Sequence, residues 1–427
     1  MKTESYHAFN QLRVSFEKYR HFLSGVAIYS GSTSLSQAIM IVYAILLARV
    51  LGPEEYGTFV GTYSIISLSS IAVNWGMDNW LLREAAEKSN SRLLSAAVLI
   101  NKALLGLVWG GALVIALPLI RPGFFFHGLT LLCVLDVWGD SCFNTLITAL
   151  NVDRKIKTVS RLMLFTRSGR LVAALIVIMI GSVQPVMFAF SRATFTGLGF
   201  LLALLLLRPD FRAKGLSAGW PLLRRSLPFG ISDFLAMIYM QADVTLLSLL
   251  SGKIATGLYS PASNLINALF VVPAAGYMLL VPRLTQRNHA SREFRQLVKQ
   301  VIAGFCGLGL VMAMGVGFFG GPAVGLVLGN NYQMTSSLLV ILSPILLLKS
   351  IEFGLAIVLV VVNWQQQRLV PQVISALVNV LLNIMVIPIF HVYGVAVVYV
   401  ISEVVLTVGY ALVLMKWFRQ TAKQVVE

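Results

Sequence analysis

The sequence predicts an all-α protein that crosses a membrane many times, and three observations lead to this prediction. Hydrophobic residues form 57% of the 427-residue chain and charged residues only 12%, against about 25% charged residues in a soluble protein. Apolar residues cluster in runs of about 20, long enough to cross the bilayer core as a helix. Runs such as 201–207 do not alternate apolar and polar residues, which excludes barrel strands and leaves helices.

The apolar runs divide the chain into about 12 predicted spans. The basic residues test this count, because cytoplasmic loops are enriched in Lys and Arg. With the N-terminus inside, 25 of the 33 Lys and Arg residues fall in cytoplasmic segments, three fall outside and five fall within spans. We therefore predict that both termini are cytoplasmic. The predicted spans are 22–48, 57–76, 93–120, 124–150, 159–181, 185–207, 228–250, 257–281, 298–320, 336–361, 370–390 and 392–415.

The net charge of +16 follows from this bias in the loops and does not indicate nucleic-acid binding. The three cysteines lie within spans and have neither metal-site nor disulfide spacing. No nucleotide-binding motif occurs, so we expect no cofactor. The polar, basic first 20 residues lack the apolar region and cleavage site of a secretory signal, so we expect segment 1–21 to stay in the cytoplasm.

The two halves of the sequence resemble each other at an offset of 200 residues. The first and seventh spans match, so the halves share one orientation and form a parallel repeat. We predict two six-helix bundles around a central cavity, at 22–207 and 228–415, with a linker at 208–227 and a cytoplasmic tail at 416–427. Five identities fall within 21 residues without a gap: Leu46, Leu47, Gly52, Gly57 and Ile66 match Leu246, Leu247, Gly252, Gly257 and Ile266.

The linker contains Trp220, Leu223 and Leu227 at the spacing of one helix face. This spacing favours a short helix in the membrane interface. An ordinary polar connection between the two bundles is the alternative.

The stretch from Leu46 to Gly57, LLARVLGPEEYG, resembles the first-hairpin signature of the polysaccharide transporter family. Trp75-Gly76-Met77 and the following Leu81-Leu82-Arg83-Glu84 are similar to that family's continuation, as are 227–231 and 257–260 in the second half. The family belongs to the multidrug/oligosaccharidyl-lipid/polysaccharide exporter superfamily. The resemblance implies two bundles that form a V around a central cavity.

The resemblance also implies a function, which is to flip an undecaprenyl-pyrophosphate-linked oligosaccharide across the bacterial inner membrane by alternating access. Such a flippase supplies the assembly of surface polysaccharide such as the O-antigen of lipopolysaccharide. The implied partners are the lipid-linked substrate and the bilayer, with H+ or Na+ as candidate coupling ions and a polysaccharide polymerase complex as a candidate protein partner.

Charged residues within predicted spans are costly in lipid and mark candidate sites. Asp136 and Asp140 share one helix face of the fourth span, and Arg167 and Arg170 share one face of the fifth. Because the paired residues lie at similar depths, we predict the ion pairs Asp140–Arg167 and Asp136–Arg170. The pairs either only fix the helix contact or also present arginine to the pyrophosphate.

Six basic residues are candidates for substrate binding: Arg49, Arg83, Arg192, Arg167, Arg170 and Lys349. Arginine suits a phosphate because its planar fork binds two oxygens at once. We expect Arg83 to meet the substrate at the cytoplasmic side and Arg49 at the outer side. Lys349 also has a candidate partner in Glu352, three residues along its helix, whereas Arg192 and Lys102 have none in their own helices.

Three carboxylates are candidates for ion coupling: Asp233 and Asp243 in the seventh span and Glu403 in the twelfth. An acid without a partner deep in a bundle can bind a proton or a cation. The alternative is an acid that only forms structural hydrogen bonds.

Three other functions remain as alternatives. An ion-coupled drug or metabolite exporter of the same superfamily would have the same architecture, and the in-span charges do not separate the two. A membrane enzyme would need a sizeable external loop, and the external loops predicted here are short, so we expect that the protein is not an enzyme. A scaffold for polysaccharide assembly would gain little from charges within its spans.

Overall fold

The structure is a computed structural model that describes the backbone of residues 2–88, 90–181, 183–211, 219–285 and 292–424. Side chains are described for residues 30–420 within these ranges, except at positions 88, 232, 236, 239, 282 and 292. The basic side chains predicted for segment 1–21, residues 212–218 of the linker and the end of the tail lie outside the described residues.

The described residues form helices and connecting turns and contain no strand. The all-α prediction is therefore confirmed. The helices are α1 (Lys2–Ser69), α2 (Ile71–Asn74), α3 (Met77–Lys88), α4 (Ser91–Ile120), α5 (His127–Val152), α6 (Ile156–Met179), α7 (Pro185–Leu207), α8 (Trp220–Leu250), α9 (Lys253–Leu269), α10 (Val271–Thr285), α11 (Arg292–Val327), α12 (Gln333–Leu342), α13 (Pro344–Val361) and α14 (Leu369–Gln424).

Nine helical stretches of the described chain are long and apolar enough to cross a membrane. The protein is a multi-pass membrane protein, while the count of twelve spans stays a prediction. Two of the nine stretches each contain a break, at Gly52 (φ 72°, ψ 171°) in α1 and at His391 (φ 49°, ψ −127°) in α14. Both breaks fall where the sequence predicts the turn between two spans. At His391, which pays a steric cost for its positive φ, the ring nitrogen Nδ1 lies 2.8 Å from the Ser251 hydroxyl.

Helix α8 corrects the prediction for the linker. It begins at Trp220 and continues without a break to Leu250, so no separate interfacial helix precedes the seventh span in the described residues. Trp220 and Leu227 are exposed, whereas Leu222 and Ser226 on another face are buried, so contact of the predicted apolar face with the membrane interface stays a prediction. The buried pair shares a face because its spacing is one helical turn.

The two halves meet at one end of the bundle, which we call the hairpin face and define by the turns at Gly52 and Gly252. Gly57 and Gly257, the repeat-related glycines, pack against the opposite hairpin. A Cβ on Gly57 would lie 1.7 Å from the Lys253 carbonyl oxygen, and one on Gly257 would lie 1.7 Å from that of Pro53. Only glycine permits this approach of two backbones, so the repeat read from the sequence is present in the fold.

Further contacts on the hairpin face follow the same symmetry. Arg121 of the first half donates to the carbonyl oxygens of Ser248 (2.8 Å) and Leu249 (2.7 Å) at the end of α8. In the second half, the Tyr332 hydroxyl donates to the carbonyl oxygen of Ala48 (2.6 Å), the repeat counterpart of Ser248. Lys253 also forms an ion pair with Glu54 (2.5 Å). These contacts close the hairpin face between the halves.

Candidate functional site

Both ion pairs predicted between the fourth and fifth spans are present. The Arg170 Nη2 atom lies 3.0 Å from Asp136 Oδ1, and Arg167 Nη2 lies 3.8 Å from Asp140 Oδ2. Arg170 also contacts Asp140 Oδ1 at 3.0 Å, a bond the sequence did not predict. Helices α5 and α6 place these side chains at matching depth, as the antiparallel arrangement requires.

Arg192 of α7 joins the same group. Its Nε donates to Asp136 Oδ2 at 2.7 Å. Its guanidinium carbon lies 4.0 Å from the ring centroid of Tyr63, a favourable cation–π distance. Thr196, one turn after Arg192, bonds to both Asp136 and Arg170. We call Asp136, Asp140, Arg167, Arg170 and Arg192 the arginine cluster.

The arginine cluster carries more positive than negative charge, with three guanidinium groups and two carboxylates. Arg170 is fully buried, and its Nε and Nη1 atoms have no hydrogen-bond partner among the described residues. Arg167 and Asp140 keep 23% of their side chains exposed. The cluster therefore has an accessible edge at Arg167, where an anionic group can reach a guanidinium, while the unused donors of Arg170 are buried.

Lys102 has a partner that sequence reasoning missed. Its Nζ lies 2.8 Å from Asp78 Oδ2 and 2.9 Å from the carbonyl oxygen of Ser141. The Thr145 hydroxyl donates to the other Asp78 oxygen at 2.6 Å. Asp78 was overlooked because the predicted second span ends at 76, whereas the helix resumes at Met77 after a left-handed turn at Trp75 and Gly76. The sequence did contain one signal for this contact: Lys102 is a charged residue within a predicted span and has no partner in its own helix, so it needed an acidic partner on another helix.

Lys349 forms the predicted pair with Glu352 (2.8 Å). It also contacts Glu403 of α14 at 2.7 Å, so the interpretation of Glu403 as a carboxylate without a partner is wrong. Glu352 additionally accepts a hydrogen bond from Thr407 (3.1 Å). A single ammonium group thus contacts two buried carboxylates on neighbouring helices, so Glu403 has an ion-pair partner that it shares with Glu352.

The two aspartates of α8 face different neighbours. Asp243 accepts hydrogen bonds from Asn383 (2.8 Å) and Tyr259 (3.2 Å), and no Lys or Arg among the described residues pairs with it. Asp233 accepts a hydrogen bond from Asn79 of the first half (2.8 Å). Of the three candidate coupling acids, Asp233 and Asp243 have no ion-pair partner among the described side chains, and Asp243 has the larger number of hydrogen bonds.

Arg49 and Arg83 lie away from the arginine cluster. Arg49 is exposed on the hairpin face and donates to the carbonyl oxygens of Leu326 and Val327 at 3.4 Å. A cation suits this C-terminal end of α11, where helix carbonyls have no partner within the helix. Arg83 is exposed and pairs with Glu87, one turn along α3, at 3.4 Å.

A cavity of about 400 Å³ lies within the second half. Helices α8, α13 and α14 form most of its wall, and Phe270 at the end of α9 completes it. Its lining includes Lys349 and Glu352, together with Arg368, which sequence reasoning assigned to a loop. No group of three or more metal-ligating side chains occurs among the described residues.

Comparisons with known proteins find one matching family model and several solved structures with a similar fold. A family model described as "Polysaccharide biosynthesis protein" matches residues 22–288. A search of curated proteins finds no match. An inward-facing multidrug resistance MATE family transporter of the MOP superfamily is 15% identical, with a TM-score of 0.70, over 91% of this chain and 96% of that one.

Two further solved structures are similar in fold. The lipid II flippase MurJ, in an inward closed conformation, is 13% identical with a TM-score of 0.70, over 91% of this chain and 87% of that one. An outward-facing MATE family transporter is 15% identical with a lower TM-score of 0.56, over 93% and 96%.

Proposed function

Since the chain belongs to the polysaccharide biosynthesis protein family, we propose that it flips a polyprenyl-pyrophosphate-linked oligosaccharide across the bacterial inner membrane for surface polysaccharide assembly. The observation that carries the proposal is the excess of arginine in the arginine cluster. A pyrophosphate is the most strongly charged part of such a lipid, and it needs fixed cations to replace its water within the membrane.

The arginine cluster has the chemistry to bind a pyrophosphate oxygen. Asp136 and Asp140 hold the guanidinium groups in fixed positions, so little conformational entropy is lost on binding. Arg167, at the exposed edge, is the group that meets the anion first. Arg170 and Arg192 behind it raise the local positive potential. The predicted roles of Arg49, Arg83 and Lys349 in substrate binding remain proposals of lower priority, because all three lie apart from the arginine cluster and each is a single basic group that already contacts a protein oxygen.

The same proposal assigns cation coupling to Asp243. Its carboxylate sits among Asn383 and Tyr259 without a basic partner among the described residues. Oxygen ligands of this kind suit H+ or Na+. Glu403 is a weaker candidate because it already pairs with Lys349, which it shares with Glu352. Asp233 is a weaker candidate because it lies closer to the surface.

Reconstitution in liposomes tests the proposed function. The vesicles contain a fluorescent polyprenyl-pyrophosphate oligosaccharide, and a membrane-impermeant quencher reports its movement between leaflets. We expect the wild type to translocate the lipid and Arg167→Gln to be slower by about tenfold or more, since a hydrogen bond to a charged group contributes about 1.5–3 kcal/mol. Arg161→Gln is the matched control, because Arg161 is exposed on the same helix.

Two results would contradict the proposal. One is equal translocation by Arg167→Gln and wild type, which would remove the arginine cluster from the substrate path. The other is transport of small organic cations by the wild type with no movement of the lipid under any ion gradient. That second result would favour the drug-exporter alternative.

A further inference from the structure

The cavity in the second half is separate from the arginine cluster, which lies in helices of the first half. Its volume of about 400 Å³ falls within the range of roughly 300–1,000 Å³ that is usual for small-molecule sites. The lining comprises Leu235, Met240, Phe270, Lys349, Glu352, Phe353, Ala356, Arg368, Leu369, Gln372, Val373, Leu406 and Tyr410.

Most of this lining is aliphatic or aromatic. A sugar would lose hydrogen bonds to water there and find few replacements, at a cost of about 1–3 kcal/mol for each unsatisfied group. A branched hydrocarbon chain has no hydrogen bonds to water to lose, and it gains dispersion contacts with the lining. The wall therefore favours an apolar ligand over a saccharide.

The two basic residues of the lining differ in whether a carboxylate of the protein already pairs with them. Lys349 is occupied by Glu352 and Glu403 at 2.8 and 2.7 Å. Arg368 forms no ion pair with any described residue. Its guanidinium lies 5.1 Å from the Tyr410 ring centroid, and its Nη2 donates to the Tyr410 hydroxyl at 3.3 Å.

Arg368 also has a donor without a partner. Its Nε is buried and makes no hydrogen bond to any described residue. Gln372 takes the remaining position on the Tyr410 hydroxyl at 2.8 Å, which fixes that hydroxyl and with it the orientation of the guanidinium. A buried N–H without a partner is costly, and a phosphate matches the planar fork of the part-buried guanidinium.

We infer that this cavity binds a polyprenyl phosphate, with isoprenoid units against the apolar lining and a phosphate oxygen on Arg368. The inference rests on the proposed function and adds to it a second subsite, in the other half of the protein. A substrate that contacts both halves can couple their relative motion, because its binding energy then depends on the angle between them.

Photo-crosslinking with a sugar-free probe tests the inference. The probe is farnesyl phosphate that carries a diazirine on its chain, added to the full-length protein in detergent micelles. Mass spectrometry of the labelled peptides locates the chain, and titration gives Kd. We expect labels on 369–373 or 353–356 and a loss of affinity of about tenfold or more in Arg368→Gln.

Two matched pairs of variants control the experiment. Arg225→Gln removes an exposed arginine on α8 and is expected to leave Kd unchanged. Val373→Phe fills the cavity, whereas Ile374→Phe adds the same ring at a neighbouring exposed position. We expect Val373→Phe to abolish labelling and Ile374→Phe to preserve it, with all four variants eluting as the wild type does in size-exclusion chromatography.

Three results would overturn the inference: labels outside the cavity, equal binding of farnesol without phosphate, or equal competition by phosphatidic acid. The last would identify a crevice for ordinary lipid. Because the probe carries no sugar and is bound in micelles, the test of this inference does not depend on translocation of the oligosaccharide lipid. Labels in the cavity without translocation of the oligosaccharide lipid would contradict only the proposed function, and translocation without labels in the cavity would contradict only the inference.

Discussion

At the residue scale, some contacts of the charged side chains follow from sequence spacing, whereas others depend on how the helices pack. The spacing of Asp136, Asp140, Arg167 and Arg170 predicted both ion pairs, because three- and four-residue spacing fixes a helix face. The sequence did not predict that Arg192 would reach Asp136. That contact depends on how α7 packs against α5, which no local pattern encodes.

Asp136 is the residue on which the stability of the arginine cluster depends most. Asp136→Asn leaves Arg170 and Arg192 buried with a single carboxylate nearby. Breaking a buried ion pair from one side costs about 3–5 kcal/mol, so we expect a clear fall in thermal unfolding temperature in detergent. Asp153→Asn is the control, because Asp153 lies in a partly exposed turn.

The double variant Asp136→Asn/Arg192→Gln tests whether these two residues stabilise each other. Removing one arginine with the aspartate restores the balance of charge, so we expect it to recover part of the lost stability. A double variant that loses as much stability as the sum of the two single changes, or more, would contradict the account, because an additive effect means that the two groups do not stabilise each other.

Asp243 is the residue for which we predict a coupling role. Translocation by the wild type is expected to accelerate under an imposed proton or sodium gradient, and Asp243→Asn to lose that acceleration while it keeps a basal rate. The reason is that the amide no longer carries the charge that binds the cation. Asp233→Asn serves as the control, and loss of gradient dependence in both variants, or in neither, would contradict the assignment.

At the element scale, the sequence predicted the helices better than their ends. The glycines at 52 and 252 marked the turns of the two hairpins, because positive φ at these positions favours glycine. The continuation of the second span through Met77 to Lys88 was missed, and so was Asp78 within it. A break of only two residues in a helix changes the hydropathy profile little, so hydropathy does not indicate that the helix resumes after it.

The hairpin glycines give a test at this scale. Gly57→Ala would place a methyl group against the Lys253 carbonyl, so we expect the hairpin face to separate. Spin labels at His127 and Leu326, both exposed on that face, report the distance between the halves after the native cysteines are replaced.

The matched variant is Gly111→Ala, where an added Cβ meets no atom within 4 Å. We expect its distance distribution to equal that of the parent protein. An unchanged distribution in Gly57→Ala as well would show that the two hairpins do not pack as described.

At the scale of the whole molecule, composition and the repeat predicted an all-α membrane protein of two related halves. They did not predict which face the halves close. That closure depends on contacts from loops, such as those of Arg121 and Tyr332, whose partners are backbone carbonyls. Every residue has a backbone carbonyl, so the sequence does not indicate which carbonyls Arg121 and Tyr332 contact.

Alternating access requires the hairpin face to open. In a cysteine-free background, Glu54→Cys and Lys253→Cys together place two thiols at the ion pair that joins the hairpins. A short bis-maleimide is expected to lock this face and stop translocation, whereas either single variant treated in the same way continues to transport. Translocation that survives complete cross-linking would exclude opening at the hairpin face.

The central claim is that the protein recognises the pyrophosphate of a lipid-linked oligosaccharide. The most direct measurement compares translocation of that lipid with translocation of a neutral glycolipid that has the same sugar and chain, in the same vesicles. We predict rapid movement of the pyrophosphate lipid, little movement of the neutral one, and loss of this preference in Arg167→Gln. Equal rates for both lipids in the wild type would contradict the claim.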